Sequence, residues 1–465
     1  MGETDAPSGK RGIPISKGEH MLYLKAQELS QIQDVFNPNP LQDEKAIEKF
    51  YQDATEARTG DAYSGFVEKM DLLLLDSHES LIHKLFIGHA GVGKTTELYR
   101  LKHAAEARGF LTCFGRCDME LDSGDMEYTD VLFYILDLLV NQANDNNLKI
   151  SSHMVEKIEQ YWNSNTELIK TISTQGEAEV SIGAETEFGI KKVIKLLAGV
   201  KAILKNSAES KKEIRTQIEP RSSELLHQIN GVIQDISNQM QKKGYPEIPL
   251  VILDGLDKIP LGQARKIFKE NGSRFQGLQI HLLVTFPISL SYTPEYADIQ
   301  VWFPNPEKLP MIKVRNWQRG MYQKEYEEGM DTIKNIIGKR ADLSLFTDEA
   351  LTKLIHYTGG NIRDLFRCIC DAALRARLRK SRVLELEDAD QALNTLESDI
   401  NGRYSDELIG KMEEIYRGNK HVSSSEEITT LLQIGAVLEY NGTRWCDLHP
   451  LVEKWLIENK KISES

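Results

Sequence analysis

The run Gly88-His89-Ala90-Gly91-Val92-Gly93-Lys94-Thr95-Thr96 sets three glycines, a lysine and two threonines at the spacing G-x4-G-K-[ST]. Glycines let backbone N–H groups turn inward around phosphate oxygens, and a helix starting near the lysine adds the positive end of its dipole. Lys94 is expected to reach the β- and γ-phosphates of a nucleotide, and the Thr95 hydroxyl to ligate Mg2+. The whole segment from Gly88 to Thr96 is read as the nucleotide-binding loop. An apolar, strand-like run before it and a helical pattern after it are the setting this chemistry requires.

Such a cradle needs a second element that holds magnesium and prepares water. The run "LVILDGLDK" (250–258) supplies it. Four apolar residues make a buried strand that delivers Asp254 to its C-terminal end, where open α/β sheets bind ligands. Asp254 is the expected magnesium-side carboxylate, and Asp257 the residue expected to orient or deprotonate water. Gly255 and Leu256 separate the two acids, so Asp257 also reads as a turn or N-cap carboxylate.

The elements that must position these groups follow from the pattern. Apolar runs at 81–88, 110–118, 248–254, 279–286 and 309–314 alternate with amphipathic stretches, which predicts a parallel sheet covered on both faces by helices. The fold class is therefore α/β, a parallel-sheet P-loop NTPase core with a helical insertion, a helical lid and a C-terminal winged-helix-like module. The divisions read as 1–75 (an N-terminal arm and helical preface), 76–320 (the core, with the insertion at about 150–245), 321–400 (the lid) and 401–465 (the terminal module). Residues 1–45 are polar and turn-rich, which fits a poorly ordered arm or a docking segment. Within the insertion, Ile190 to Lys205 places apolar residues on one helical face and Lys191, Lys192, Lys195, Lys201 and Lys205 on the other; packing on a neighbouring helix, a membrane surface or nucleic acid would each suit it. The pair Asn441-Gly442 predicts a type I′ hairpin turn in the terminal module.

Composition narrows the classes. The 465 residues carry a net charge of -13, which weighs against wholesale coating of nucleic acid. No apolar run approaches the ~18 residues of a membrane span, and "MGETDAPSGKRGIPISKGEH" lacks a secretory core, so a cytoplasmic protein is expected. The five cysteines, spaced C-x3-C and C-x-C with one alone, read as reduced core thiols rather than a zinc site.

"GHAGVGKT", "LVILDGLD", the strand ending at Thr285 in "LLVTF", and "GGNIRDLFR" together resemble the AAA+ and STAND branch of P-loop ATPases, the origin-recognition-type and signalling members most of all. The resemblance implies that Thr285 senses the γ-phosphate and that Arg363 contacts the phosphates from the lid. It covers roughly residues 75–397 apart from the insertion. Departures accompany it: no arginine follows the sensor strand in "TFPIS", and none lies between Ser289 and Pro310, where an arginine finger usually sits. Arg265 and Arg274 are the nearest alternatives. "EIRTQIEPRSSELLHQINGVI" also looks like a group of bacterial ATPases, some found beside antiviral defence genes.

The expected function is an ATP-binding and ATP-hydrolysing switch, with ATP and Mg2+ as cofactors, that controls assembly or activity of partner proteins and forms homo-oligomers on binding ATP. One alternative is an ATP-dependent DNA-binding initiator or transposition regulator. It would use the winged helix and the run 363–382, which holds seven arginines or lysines against two aspartates. A non-hydrolysing, nucleotide-stabilised scaffold is the other. No acceptor site of a kinase, further helicase motif or protease signature is present.

Overall fold

A computed structural model describes residues 24–77, 80–163, 190–206, 208–318, 321–401, 404–418, 420–441 and 444–462. From Ala26 the N-terminal segment is docked: Ala26, Leu29, Ile32 and Phe36 are buried in a cluster with the lid, and the Phe36 ring meets Phe366 edge-on at 5.2 Å. Helix α1 (Glu44–Phe50) follows, started by Asp43, whose carboxylate accepts from Ala46 N at 2.8 Å. Then come α2 (Thr55–Thr59) and α3 (Phe66–Asp76).

The core alternates strand and helix: β1 (His83–Ile87), α4 (Lys94–Ala107), β2 (Thr112–Arg116), α5 (Tyr128–Asp145). The insertion adds α6 (Ser152–Asn163), α7 (Ile190–Asn206), α8 (Ala208–Ile218) and α9 (Ser222–Lys242). Strands β3 (Leu250–Asp254), β4 (His281–Phe286) and β5 (Glu307–Lys308) complete a five-stranded parallel sheet in the order β2-β3-β4-β1-β5. Alternate strand residues serve opposite faces. Phe86, Ile252 and Leu283 pack with α3 and α4, whereas Leu85, Val251 and Val284 pack with α5 and the insertion.

One detail departs from the run-by-run reading, and another, the packing of α7 on its neighbours, agrees with it. The fifth apolar run, 309–314, is in the sheet ladder only at its start, where Leu309 N bonds Ile87 O at 2.8 Å; Met311 N then turns to Glu439 O at 3.2 Å and Lys313 N to Ala57 O at 3.3 Å. Its backbone partners lie outside the sheet, which no apolar pattern encodes. The basic face of α7 is partly neutralised, with Lys192 3.1 Å from Glu159 and Lys201 2.9 Å from Asp137, while Val193, Leu197 and Val200 are buried against α5.

The lid consists of α10 (Glu327–Arg340), α11 (Asp348–Tyr357), α12 (Ile362–Leu378) and α13 (Leu386–Ile400). The terminal module has α14 (Asp406–Arg417), α15 (Glu426–Gln433), the antiparallel hairpin β6 (Val437–Tyr440) and β7 (Trp445–Leu448), and α16 (Pro450–Glu458). At the hairpin tip Asn441 has φ +61°, and Gly442 of the expected turn lies outside the described residues. Every residue of both hairpin strands is buried, so the hairpin is enclosed rather than free at an edge. All five cysteines are free thiols, and no described helix is long and apolar enough to cross a membrane.

A buried ion cluster fastens the module. Arg315, 1% exposed, bonds Glu453 and lies 3.5 Å from Asp447. Lys420 reaches Asp447 at 2.8 Å and the Tyr322 hydroxyl donates to it at 2.7 Å. Removing one partner of such a cluster strands the others without water. Arg315→Ala is therefore expected to cost about 3–5 kcal/mol in urea unfolding and to expose the segment after residue 400 to trypsin, whereas an unchanged midpoint would show that the cluster does not fasten the module.

Candidate functional site

Sheet register brings the candidate residues to one rim. Arg116 pairs with Asp254 across β2 and β3, and Phe86 with Thr285 across β1 and β4, so the ends of β1 and β3 flank that of β4. Two strand spacings, ~10 Å, separate the cradle from Asp254, and side chains close that gap. The Thr95 hydroxyl donates to Asp254 Oδ2 at 2.7 Å. Lys94, 6% exposed, donates to Gly88 O at 2.7 Å and His89 O at 2.8 Å and forms an ion pair with Asp257 Oδ2 at 2.9 Å. The carboxyl of Asp254 is raised above its ordinary pKa, first by burial and next by the neighbouring Asp257, against the Thr95 hydrogen bond and Arg116. These four residues have the donor set and spacing of a magnesium-phosphate site: a hydroxyl and a carboxylate on one side, an ammonium and a second carboxylate on the other.

Thr285 lies one residue before the end of β4, at Phe286, and its side chain is fully buried, its hydroxyl accepting from Leu256 N at 3.1 Å. It braces the turn that carries Asp257 and lies outside the cavity wall. Arg363 does line the cavity. Its helix, α12, is capped by Asn361, whose Oδ1 accepts from the main-chain N–H of Arg363 and Asp364 while its Nδ2 donates to Ala90 O at 3.2 Å. Arg363 N also approaches Gly91 O at 3.3 Å. This approach needs a glycine: at φ +83° Gly91 is in the left-handed region, and a Cβ there would sit 2.2 Å from Asn361 Oδ1.

The cavity, about 970 Å³ with its open mouth, is walled on the cradle side by Ala90 to Glu97. Its lining also includes Pro38, Pro40, Leu41, Phe50, Tyr51, Ile336 and Phe366, an apolar and aromatic surface suited to a base. Thr96 takes part through its hydroxyl, which accepts from Leu41 N at 3.2 Å. Two buried arginines of this wall escape a motif reading. Arg58 bonds only carbonyls, Val92 O at 2.9 Å and Pro310 O, and burial lowers its pKa. Arg340 bonds Phe50 O at 2.8 Å, lies over the rings of Phe50 and Phe366, and is lowered by burial to about 10. Among the described residues, five cations and three carboxylates line the cavity, a surplus of two positive charges; a magnesium-bound nucleoside triphosphate carries roughly two negative ones. Asp257 Oδ1 is also buried without a partner, as a site awaiting a donor would be. Arg265 and Arg274 lie elsewhere: the first is 3.5 Å from Glu295, the second packs over Tyr128.

His89 turns away from the cavity, 3% exposed, and its Nε2 accepts from Glu439 N of β6 at 2.8 Å. That bond assigns the proton to Nδ1. Burial, then Lys94, then His449 lower the His89 pKa to about 3, and burial followed by Arg315 lowers that of His449 to about 3.

No protein-family model matches this chain, and neither does any curated protein. Among solved structures it is similar to Cdc6p from Pyrobaculum aerophilum (10% identity, 92% of this chain and 99% of that chain, TM-score 0.39). It is similar also to the ADP form of the Aeropyrum pernix ORC2 protein (14% identity, 93% and 99%, TM-score 0.41) and to the Thermotoga maritima RuvB Holliday junction branch migration motor (12% identity, 88% and 98%, TM-score 0.34). At such identities the likeness concerns fold alone, and function is reasoned from this chain's own residues.

Two outcomes are expected. Because Asp257 competes with phosphate for Lys94, Asp257→Asn should bind a fluorescent ATP analogue at least as tightly as the natural chain, and up to ~10-fold tighter, whereas Lys94→Ala should lose ~100-fold or more. Weaker binding by Asp257→Asn would place Asp257 among the binding groups. Second, His89 and His449 resist protonation in the fold, but in the unfolded chain they take up protons near the ordinary 6.5. Their contribution is thus complete above about pH 6.5 and shrinks as pH falls toward 3, so the urea midpoint should drop between pH 7 and 4, less steeply in His89→Gln.

Proposed function

We propose that this chain is a nucleotide-driven switch that binds ATP with Mg2+, hydrolyses it, and thereby controls the assembly or activity of partner proteins. The observation that carries this reading is that three successive cradle residues are bonded to two different modules. His89 holds the main chain of hairpin β6–β7, and Ala90 and Gly91 hold the start of lid helix α12. Hydrogen bonds tolerate only a few tenths of an ångström, so a cradle that adjusts to phosphate alters both attachments at once.

In this reading Thr95 and Asp254 hold magnesium, which would neutralise phosphate charge and fix its orientation. Lys94 leaves Asp257 for the phosphates, and Asp257 becomes available to orient water. Arg363 contacts the phosphates from the lid, and Thr285 acts on Asp257 through Leu256. Exposed lid surface freed by these changes would meet partner proteins or further copies of this chain. A role in antiviral defence rests on the resemblance of the segment before β3 alone.

Charge placement favours protein partners over DNA. In the run 363–382, three of the seven cations are paired, Arg367 with Asp399 at 3.3 Å, Arg375 with Asp371 at 3.0 Å and Arg379 with Asp388 at 2.6 Å, which reduces the charge left for phosphates without removing it. Helix α15 of the terminal module carries Glu426 and Glu427 and no cation. Phosphate-driven binding needs unpaired cations on one face.

Hydrogen exchange tests the switch. Saturating Mg-ATP should raise exchange in residues 437–448 of the natural chain and leave Lys94→Ala unchanged, while His89→Ala should show raised exchange there without nucleotide. If nucleotide binds and neither this hairpin nor α12 changes, the cradle does not signal and a scaffold is the better account. Light-scattering mass with and without Mg-ATP reports whether copies assemble.

A further inference from the structure

We propose that Lys258 is a catalytic residue of this site, an in-chain cation held by Asp118 that meets the terminal phosphate during hydrolysis. The inference rests on the ATPase reading above and answers the want of a recognisable arginine finger.

Lys258 follows Asp257 in the turn after β3, and both line the cavity with Lys94 and Asp254. Asp257 lies 2.9 Å from the Lys94 ammonium, so this turn borders the phosphate end and not the aromatic wall. The Lys258 ammonium is 2.6 Å from Asp118 Oδ2. Asp118 does not choose its own place: Arg116 grips both its oxygens, Nε to Oδ1 and Nη2 to Oδ2, each at 3.1 Å, and the same Nε is 3.3 Å from Asp254 Oδ2. The turn rests directly on this carboxylate. Gly255 has φ +92°, and a Cβ there would stand 2.4 Å from Asp118 Oδ1. A chain Asp254–Arg116–Asp118–Lys258 therefore loops around the turn and returns to the cavity.

Stability gains little from the outermost link of this loop, the pair Lys258–Asp118. Lys258 is 34% exposed, and ion pairs of that kind contribute about 0–1 kcal/mol. Holding a flexible lysine at one point of a cavity wall makes more sense as positioning of charge, which is worth most where charge develops in a transition state. In the hydrolytic step the water oxygen bonds to the terminal phosphorus as the bond from that phosphorus to the bridging oxygen breaks. The bond's electron pair goes to the departing diphosphate, the water proton passes to Asp257, and nothing is oxidised or reduced. Lys258 faces the oxygens on which negative charge is redistributed. Asp118 is a positioning residue that acts through it.

The test uses the full chain and its variants Lys258→Met, Lys258→Arg and Asp118→Asn. Lys258→Met is expected to lower kcat ~100-fold with KM changed less than ~3-fold, and Lys258→Arg to recover most of the loss. Calorimetry gives a readout apart from turnover: ADP should bind Lys258→Met as it binds the natural chain, while ADP with aluminium fluoride, a mimic of the planar transferring group, should bind ~100-fold more weakly. Asp118→Asn should show the same split in smaller measure. Undiminished turnover and fluoride-complex affinity in Lys258→Met would overturn this inference alone, as would a parallel fall in ADP affinity and melting temperature. A natural chain that binds ATP without turnover would overturn the ATPase reading and this inference with it.

Discussion

An ammonium taken almost out of water must be solvated by protein oxygens, and the upper rim of the sheet is arranged around how Lys94 meets that demand. Two cradle carbonyls and Asp257 surround it. Asp257 is thereby tied to the cradle, and the turn that carries it is tied to Thr285 through Leu256 and to Asp118 through Gly255. Asp254 is buried beside a second acid and stays anchored by Thr95 and Arg116. Arg58 of α2 bonds two carbonyls, and Arg340 of the lid bonds the Phe50 carbonyl and lies over the Phe50 and Phe366 rings. The cations that line the cavity suit an anionic ligand, and its apolar and aromatic lining suits a base.

The terminal module is joined to this rim by backbone. Leaving β5, the chain bonds first to β1 at Ile87 and then, two residues on, to β6 at Glu439. One extended segment thus contacts the cradle strand and the hairpin in turn. Apolar packing of equal volume often matches a buried ion cluster such as Arg315, Asp447, Glu453 and Lys420, but once the cluster is formed each member depends on the others for its solvation.

Much of this was legible in the sequence where the physics is local. The cradle and Asp254 follow from spacing and from a strand that ends in an acid. The sheet follows from apolar runs too continuous for one-sided burial. The periodicity of α7 separated two faces but could not say that Glu159 and Asp137 would meet the basic one. Thr285 falls one residue short of its strand's end, and whether its hydroxyl faces the cavity or the neighbouring turn depends on Leu256, a residue from another strand's exit. Arg58 and Arg340 carry no local signal at all. They reach the cavity because a docked N-terminal segment and the end of a lid helix converge there, and convergence is a property of the tertiary fold. The polar, proline-rich stretch from Asn37 to Gln42 reads as a loop, and it is one, but Leu41 and Gln42 bond it to α4 while Gln33 just before it bonds Cys370 of α12.

The bond between His89 and Glu439 is lopsided in a way that bears on how such a chain can change over evolutionary time. Position 89 is one of the freely variable places of the cradle motif, but here it must supply a buried acceptor of the right length. Position 439 contributes only its main-chain N–H to that bond. A substitution at 439 therefore leaves the link intact unless it brings in proline, whereas almost any at 89 cuts it. Across diverging copies of this chain the link would be recorded at one end only, and methods that look for paired changes would pass over it.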